Sequence, residues 1–254
     1  MREHWRLVQT GYMPAAMNMA VDQAILVAHS KGLVPPTVRF YGWKPPAISI
    51  GYFQGLTEEV DLDSCRRYGV DYVRRVTGGG AVFHDQELTY SIVISETHPQ
   101  MSKNILESYG RICGAIIKGL NMLGITATYA PINDILVDGK KISGNAQTRK
   151  FGVVLQHGTI LLDVDVEKMF SLLKVPSEKI KDKLISDVKQ RVTSVHHVLG
   201  RIRTFEQVAQ AMKHGFETEF SVLFEEQHLT PEEKTLAEKF KKEYFSDSQW
   251  NFKR

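Results

Sequence analysis

The sequence predicts an α+β fold built around one large core. Segments that favour strands and segments that favour helices are interspersed, without the regular alternation of a parallel α/β protein. The chain has 254 residues, 43% of them hydrophobic, which is enough apolar material for one sizeable core. No internal repeat or low-complexity tract interrupts the pattern. We therefore expect a single domain over residues 1–254, with a weak linker signal over residues 162–176 and a helical C-terminal part over about residues 165–254.

The individual elements follow from hydrophobic periodicity and from the turn residues between them. Strands are expected over residues 5–10, 37–41, 47–52, 71–74, 88–95, 135–137, 140–142 and 152–162. Helices are expected over residues 15–28, 62–68, 104–123, 166–174, 205–216 and 231–244. Asp138-Gly139 separates two of the strands, and this dipeptide supplies the positive φ angles of a two-residue type I′ turn. A hairpin at these two residues is the strongest local prediction.

Charge and cysteine content exclude several classes of protein. The formal net charge of +3 comes from 32 basic and 29 acidic side chains spread along the chain, so no nucleic-acid-binding surface is expected. No apolar run is long enough to cross a bilayer, and the N-terminus lacks a secretory signal. Cys65 and Cys113 lie in helix-like segments without ligand-like neighbours. These features predict a cytoplasmic protein without disulfides that does not act on membranes.

A glycine-rich segment carries the clearest chemical signal. Arg74 and Arg75 precede an uninterrupted series of candidate binding residues, which are Gly78, Gly79, Gly80, Ala81, Val82, Phe83 and His84. Glycines let the backbone approach an anion closely, and arginine offers it planar, bidentate hydrogen bonds. The spacing is neither that of a P-loop nor that of a dinucleotide-binding fold. The segment therefore predicts an anion site of another kind, and the alternative is a flexible hairpin loop with solvated arginines.

A second polar segment surrounds the predicted hairpin. It contains Asn133, Asp134, Lys140, Lys141, Ser143 and Gly144. A lysine here can neutralise charge that develops on a carboxylate or phosphoryl oxygen. Side chains alternate along a strand, so at most one of the two lysines enters a shared pocket, and the spacing does not say which. The alternative is a pair of solvated lysines beside a turn.

A third segment places His157 and Gly158 on an otherwise apolar strand. An isolated histidine in such a strand is also typical of a core residue. The sequence shows no serine or cysteine at nucleophile-elbow spacing and no HExxH pattern, so neither a catalytic triad nor a metal site can be assembled from it.

Taken together, these segments resemble the signature blocks of the lipoate-protein ligase and octanoyltransferase family. The blocks read RRVTGGGAVFHD, NDILVDGKKISGNAQ and LQHGTILLD, in that order. The resemblance extends to MNMAVDQAIL and VRFYGWKPPAISIGYFQ near the beginning and to SDSQWNFKR at the end. It implies a fold like that of the biotin-protein ligases, a mixed β-sheet flanked by helices, and here without the separate C-terminal accessory domain that many ligases carry.

The resemblance also assigns roles to residues. Lys141 matches the lysine that contacts the acyl carbonyl and the α-phosphate, and Ser143 and Gly144 follow it in the same block. Arg75 and the glycine-rich segment through His84 match nucleotide-binding positions. Asn133 and Asp134 match a pair near the phosphates, where Asp134 is the expected ligand of a Mg²⁺ ion that accompanies ATP. His157 and Gly158 match the lining of the acyl pocket.

Two branches of the family compete as interpretations. The two ends of the chain resemble the octanoyltransferase of Gram-positive bacteria, which works without ATP through a thioester on a cysteine in an insertion ahead of the hairpin. That insertion is missing here, since residues 129–134 run on directly and no cysteine follows Cys113. We therefore predict an ATP-dependent lipoate-protein ligase that forms acyl-AMP. The alternatives are an ATP-independent octanoyl or lipoyl transferase and a non-catalytic lipoate or lipoyl-domain binding module.

The resemblance implies a small set of substrates and partners. The acid is lipoate or octanoate, which the sequence does not distinguish. The expected acceptors are lipoyl-domain proteins, namely the glycine cleavage H protein and the E2 subunits of 2-oxoacid dehydrogenases. A separate accessory-domain protein is a further expected partner.

Overall fold

Two β-sheets organise the computed structural model, which describes residues 2–174 and 178–253. The strands are β1 (Glu3–Met13), β2 (Thr37–Trp43), β3 (Ala47–Ile50), β4 (Asp71–Arg74), β5 (Val82–His84), β6 (Glu87–Ser95), β7 (Thr128–Ala130), β8 (Asp134–Val137), β9 (Lys140–Lys150), β10 (Val153–Leu161) and β11 (Val222–Glu226). The larger sheet has eight strands in the order β11-β1-β2-β6-β10-β9-β8-β7, and the smaller has the order β4-β3-β5. Strand β1 pairs in parallel with β2 and β11, whereas β6, β10, β9, β8 and β7 pair antiparallel, so the predicted mixed sheet is confirmed.

The helices begin mostly at side-chain caps. They are α1 (Ala15–Ser30), α2 (Leu56–Glu59), α3 (Leu62–Tyr68), α4 (Ile105–Met122), α5 (Val166–Leu172), α6 (Glu178–Arg191), α7 (Val195–Leu199), α8 (Phe205–Phe220), α9 (Pro231–Phe240) and α10 (Ser248–Asn251), with a π-helical turn at Lys241–Phe245. Asn104 accepts hydrogen bonds from two backbone N–H groups of the first turn of α4, and Thr204 and Thr230 form capping boxes on α8 and α9.

Helices cover both faces of the larger sheet. Leu88, Tyr90 and Ile92 of β6 pack with the core that includes α4 and α8, whereas Val93 packs with α1 and α9 on the other side. Successive side chains of a strand point to opposite faces, so the two clusters lie on opposite sides of the sheet. The predicted α+β arrangement of a sheet flanked by helices is therefore confirmed.

The predicted hairpin is present and carries a β-bulge. Asp138 and Gly139 have φ angles of 49° and 76° and join β8 to β9. The register shifts between Ile135, which pairs with Ser143, and the next residue, which pairs with Lys141. One residue of β9, Ile142, is thus the extra residue of the bulge, and it packs into the core.

The C-terminal part differs from the sequence prediction. Over about residues 165–254 only helices were expected, but β11 lies within this range and extends the sheet. Its five residues end in two glutamates and show no strong alternation, so the strand depends on pairing with β1 rather than on local preference. Residues 175–177, which include part of the predicted linker range, lie outside the described residues. The single-domain organisation over residues 1–254 stays a prediction.

Candidate active site

The three chemically informative segments meet at one cavity of about 450 Å³. The predicted residues that line it are Arg75, Gly78, Gly79, Gly80, Ala81, Val82, Phe83, His84, Asn133, Lys141, Gly144, His157 and Gly158. Its apolar lining includes Met19, Leu161, Val164, Met169, Val188 and Val192. Two predicted residues do not line it: Asp134 lies beside Lys141, and Ser143 is fully buried. The volume falls within the roughly 300–1,000 Å³ typical of small-molecule sites, and the lining combines apolar walls with a few polar groups.

Arg75 shapes the glycine loop, residues 78–80, by bonding to its backbone. Its guanidinium donates to the carbonyl oxygens of Gly78 and Gly80 at 2.8 Å each, and to the carbonyl and hydroxyl oxygens of Ser49 at 3.0 and 3.1 Å. Burial lowers the pKa of Arg75 to about 10, so the side chain is still a cation at neutral pH. The loop also lies against Gly51, where a Cβ atom would come within 2.0 Å of the Gly79 carbonyl oxygen. Glycine is therefore required at position 51 by this close approach.

Arg74 also donates to backbone carbonyl oxygens, but these lie within residues 51–54 and 250–253 and not in the glycine loop. Its side chain is fully buried and donates to carbonyl oxygens of Gly51 and Tyr52 and to those of Trp250, Asn251 and Lys253 at the C-terminus. Arg74 therefore directs its donors at backbone carbonyl oxygens, and Arg75 directs its donors at backbone carbonyl oxygens and at the Ser49 hydroxyl. The guanidinium groups that the sequence assigned to an anion site thus already have partners within the protein.

Lys141 lines the cavity and remains partly exposed, and a glycine makes room for it. Its ammonium Nζ is 2.7 Å from Asp134 Oδ1, and both side chains remain partly exposed. A Cβ on Gly144 would come within 2.7 Å of Lys141 Cε and 2.8 Å of Nζ, so the lysine lies directly over this glycine. Of the two predicted lysines, Lys141 lines the cavity and Lys140 does not.

Asn133 is held by reciprocal hydrogen bonds with Asn145, a residue that sequence analysis did not single out. Asn133 and Asn145 each donate from the side-chain amide to the other's backbone carbonyl, at 2.6 and 2.8 Å. Gly158 leaves space for this arrangement, since a Cβ there would lie 2.1 Å from Asn145 Oδ1. Asn145 lies in the block NDILVDGKKISGNAQ, and its side-chain amide next to Gly144 was the sequence feature that could have marked it as a site residue.

A buried ionic network lies behind His157. Its Nε2 is 2.7 Å from Thr77 Oγ1, and its Nδ1 is 3.5 Å from Asp22 Oδ2. Asp22 also accepts hydrogen bonds from Arg39 and Tyr41. Burial alone would raise the pKa of Asp22, but the Arg39 charge and the surrounding hydrogen bonds outweigh burial and lower it. Burial lowers the pKa of His157 despite the nearby Asp22 carboxylate, so the imidazole is neutral at pH 7.

Sequence analysis missed this network because its members lie in separate elements. Asp22 stands on α1 among apolar residues, and Arg39 stands within the fully buried strand β2. A carboxylate on an apolar helix face and an arginine in a hydrophobic strand were the signals, since buried charges are almost always paired.

A second buried chain of polar groups forms part of the cavity wall. Ser49 Oγ is 2.7 Å from His84 Nε2, and His84 Nδ1 is 2.7 Å from Glu87 Oε1. The Trp43 ring stacks on the His84 ring at a centroid distance of 4.0 Å. Ser49, Trp43 and His84 line the cavity. Only His84 was predicted, and the signal for Ser49 was a single hydroxyl in the otherwise apolar strand β3.

The two cysteines are not placed for chemistry at this site. Burial raises the pKa of Cys65 to about 11 and that of Cys113 to about 12. Neither is among the described residues that line the cavity. At neutral pH both are therefore thiols within the core.

Comparison with known proteins identifies the family. The sequence profile described as the lipoyl protein ligase A/B catalytic domain matches residues 14–217. The chain belongs to this family. It is 42% identical to octanoyltransferase LipM of Geobacillus kaustophilus, with 100% of this chain and 99% of that protein covered. It is 36% identical to octanoyltransferase LipM of Bacillus subtilis, with 100% and 99% covered.

Solved structures of the family confirm the fold. A bipartite lipoate protein ligase from Thermoplasma acidophilum superposes with a TM-score of 0.89 at 31% identity, over 98% of this chain and 96% of that one. A lipoate-protein ligase A bound with ATP gives a TM-score of 0.85 at 30% identity, over 98% of each chain.

The prediction of an ATP-dependent ligase is wrong. Relatives that are 36–42% identical over nearly their whole length are octanoyltransferases. The prediction rested on the missing cysteine, and a missing thiol identifies neither an adenylating enzyme nor its nucleotide. The alignment to the Geobacillus relative runs over 276 positions against 254 residues here, so that relative has residues that this chain lacks.

Neither the expected metal site nor the expected cytoplasmic location is confirmed. Within residues 2–174 and 178–253, His, Cys, Asp and Glu side chains form no group of three that could hold a metal ion. Asp134, the predicted Mg²⁺ ligand, pairs with Lys141 instead. Among the helices that the structure describes, none has both the length and the apolarity to span a membrane. The cytoplasmic location stays a prediction.

Proposed function

We propose that this protein is an ATP-independent acyltransferase that moves an octanoyl or lipoyl group from a carrier protein to a lysine of a lipoyl-domain protein. The full-length likeness to octanoyltransferases carries the proposal. The acceptors that fit this activity are the glycine cleavage H protein and the E2 subunits of 2-oxoacid dehydrogenases. A thioester donor is already activated, so the reaction needs neither ATP nor Mg²⁺.

The geometry of the cavity supports this reaction. Its apolar residues suit an eight-carbon chain, and each methylene that leaves water contributes about 0.8 kcal/mol. Lys141 brings a cation to the cavity lining, where it can contact the acyl carbonyl of a bound donor. Negative charge develops on that oxygen when the carbonyl is attacked, and a positioned cation stabilises it more in the transition state than in the ground state.

The test is to mix the purified protein with an octanoylated carrier protein and a lipoyl-domain acceptor, without ATP, and to weigh the intact acceptor. We expect a gain of one octanoyl group. Lys141→Ala should reduce the rate by about 10²-fold or more, as expected for loss of one transition-state contact. Lys140→Ala is the matched control and should leave the rate unchanged.

Two further reactions complete this test. Free octanoate or lipoate with ATP and Mg²⁺ should leave the acceptor unmodified. Modification under that condition alone, with no transfer from the carrier protein, would refute the proposal. Because the assay contains the single chain, it also shows whether the predicted accessory protein is needed.

A further inference from the structure

The proposed transferase lacks a thiol that could carry the acyl group. Both cysteines are buried thiols with raised pKa values, and neither lines the described cavity. An acyl group that moves between two proteins must either pass directly or rest on another nucleophile. Serine and threonine serve when a general base lies within hydrogen-bond reach.

Among the described residues that line the cavity, Ser49 and His84 form such an arrangement, and Glu87 lies behind His84. Thr77, which also lies 2.7 Å from a histidine, does not line the cavity. The serine oxygen and the glutamate oxygen each lie 2.7 Å from one ring nitrogen of His84, on opposite sides of the ring. An ionised glutamate only accepts hydrogen bonds, so Nδ1 carries the proton and donates to Glu87. In the neutral imidazole Nε2 is then the acceptor and faces the Ser49 hydroxyl. This is the order nucleophile, base and orienting carboxylate.

Neighbouring side chains hold the His84 ring in place, and one oxygen of the Glu87 carboxylate has no hydrogen-bond partner among the described residues. Trp43 stacks on the His84 ring and donates to Thr89, and the Thr89 hydroxyl donates to Glu87 Oε1. The other oxygen, Oε2, is buried and has no hydrogen-bond partner among the described residues. A buried carboxylate with an unsatisfied oxygen is stabilised when a positive charge forms beside it. Protonation of His84 would supply that charge.

A cation also lies next to the serine oxygen. Arg75 donates from Nη1 to Ser49 Oγ at 3.1 Å, and its guanidinium remains charged at neutral pH. Negative charge that develops next to Ser49 Oγ during attack therefore forms in a buried setting close to a fixed positive charge. A serine that served only as a structural hydrogen-bond partner would not need to line the cavity, but Ser49 does line it.

We propose that Ser49 is the nucleophile of acyl transfer, with His84 as its general base and Glu87 as the residue that orients His84. This inference rests on the proposed transferase function. In the first half, Ser49 Oγ attacks the donor thioester carbon and its proton passes to His84 Nε2. The carbon–sulfur bond then breaks, and the departing carrier thiolate takes that proton and leaves as a thiol. An octanoyl oxygen ester remains on Ser49.

The second half regenerates the enzyme. The neutral amine of the acceptor lysine attacks the ester carbon and gives a proton to His84 Nε2. The bond to Ser49 Oγ breaks, and the serine oxygen takes the proton back. The products are an amide on the acceptor and a free serine, with no oxidant, nucleotide or metal in the balance.

The test begins with the octanoylated carrier protein and no acceptor. Intact mass should show one octanoyl group on the wild-type protein, and peptide mapping should place it on Ser49. As an oxygen ester, this adduct should resist neutral hydroxylamine, which cleaves thioesters. Addition of the lipoyl-domain acceptor should discharge it.

Variants separate this inference from the proposed function. Ser49→Ala and His84→Gln should slow transfer by roughly 10³-fold or more, in line with loss of a nucleophile or its base. Ser49→Cys should restore acyl-enzyme formation, now labile to neutral hydroxylamine, and this variant guards against a folding defect in the alanine protein. Two controls should transfer at the wild-type rate: Ser64→Ala, and the double variant Cys65→Ala/Cys113→Ala.

The outcomes are distinct. Full transfer activity in Ser49→Ala, or an octanoyl group mapped to another residue, overturns the role of Ser49 and leaves the transferase function intact. So does inactivity of both Ser49 variants together with no acyl-enzyme in the wild-type protein. Absence of transfer by the wild-type protein overturns the proposed function, and the role of Ser49 falls with it.

Discussion

At the scale of single residues, the position of Lys141 depends on the absence of a side chain at Gly144. A methyl group there would lie within 2.8 Å of both terminal atoms of the lysine. The same is true of Asn145 and Gly158, so glycines in the two strands of this wall set where polar side chains can lie. These glycines provide space for neighbouring groups more than they provide chain flexibility.

Gly144→Ala should therefore reduce activity without unfolding the protein. Displacement of a catalytic group by about 1 Å can cost roughly 10²-fold in rate, and we expect kcat/KM to fall by about 10-fold or more. Steady-state kinetics with the octanoylated carrier protein measures it. Gly110→Ala is the control, because its added Cβ would meet only ordinary contacts with Tyr129 at 3.6 Å. Equal activity in the two variants would show that Lys141 tolerates displacement.

At the scale of elements, the buried network of Asp22 and Arg39 joins helix α1 to strand β2. Arg39 Nη1 is 2.7 Å from Asp22 Oδ1, and Ser91 of β6 donates to the same oxygen at 2.8 Å. Three elements behind the cavity wall are thus fixed to one carboxylate. Loss of that charge would leave Arg39 buried and unpaired.

Asp22→Asn should destabilise the protein by about 3–5 kcal/mol at neutral pH, as removal of one partner of a buried ion pair does. The pKa of Asp22 is lowered in the folded protein. Its stabilising contribution is therefore complete above the ordinary carboxyl pKa of about 3.9 and is lost as the pH falls through the folded-state value. Urea unfolding of both proteins from pH 7 downward should show the difference in unfolding free energy shrink below about pH 4. The exposed Asp63→Asn should change stability by less than about 0.5 kcal/mol at any of these pH values.

Elements that depend on local sequence could be predicted, whereas those that depend on distant pairing could not. The Asp138-Gly139 hairpin and helix α4 were predictable because turn chemistry and capping are local properties. Strand β11 was not, because its parallel pairing with β1 joins residues about 220 positions apart. The candidate site divides in the same way. Glycine-rich and lysine-containing blocks identified the cavity, whereas Ser49 and Glu87 acquire a chemical meaning only through their contacts with His84.

At the scale of the whole molecule, Arg74 ties the glycine-loop region to the C-terminal segment. Its side chain bonds to carbonyl oxygens of Trp250, Asn251 and Lys253, and Trp250 Nε1 donates back to the Arg74 carbonyl at 2.9 Å. The neighbouring residue, Arg75, holds the loop itself. Stability of the C-terminal segment and order of the site should therefore be linked.

Removal of residues 248–254 should lower both stability and activity. A buried guanidinium that loses a carbonyl partner without replacement destabilises the protein by about 1–3 kcal/mol per hydrogen bond. We therefore expect the free energy of unfolding to fall by at least this amount. Thermal unfolding and the transfer assay should decline together, and Arg74→Lys should reproduce much of the effect. The exposed Arg67→Lys serves as the control. A truncated protein with unchanged melting temperature and activity would contradict the link.

The placement of strand β1 between β11 and β2 has a consequence for synthesis of the chain. Glu3 pairs with Val222, and the buried side chain of Arg74 donates to carbonyl oxygens within residues 250–253. A nascent chain cannot complete this sheet or supply the carbonyl partners of Arg74 until residues 222–226 and 250–253 have been made. We therefore expect the cavity wall to become ordered only after these residues have left the ribosome.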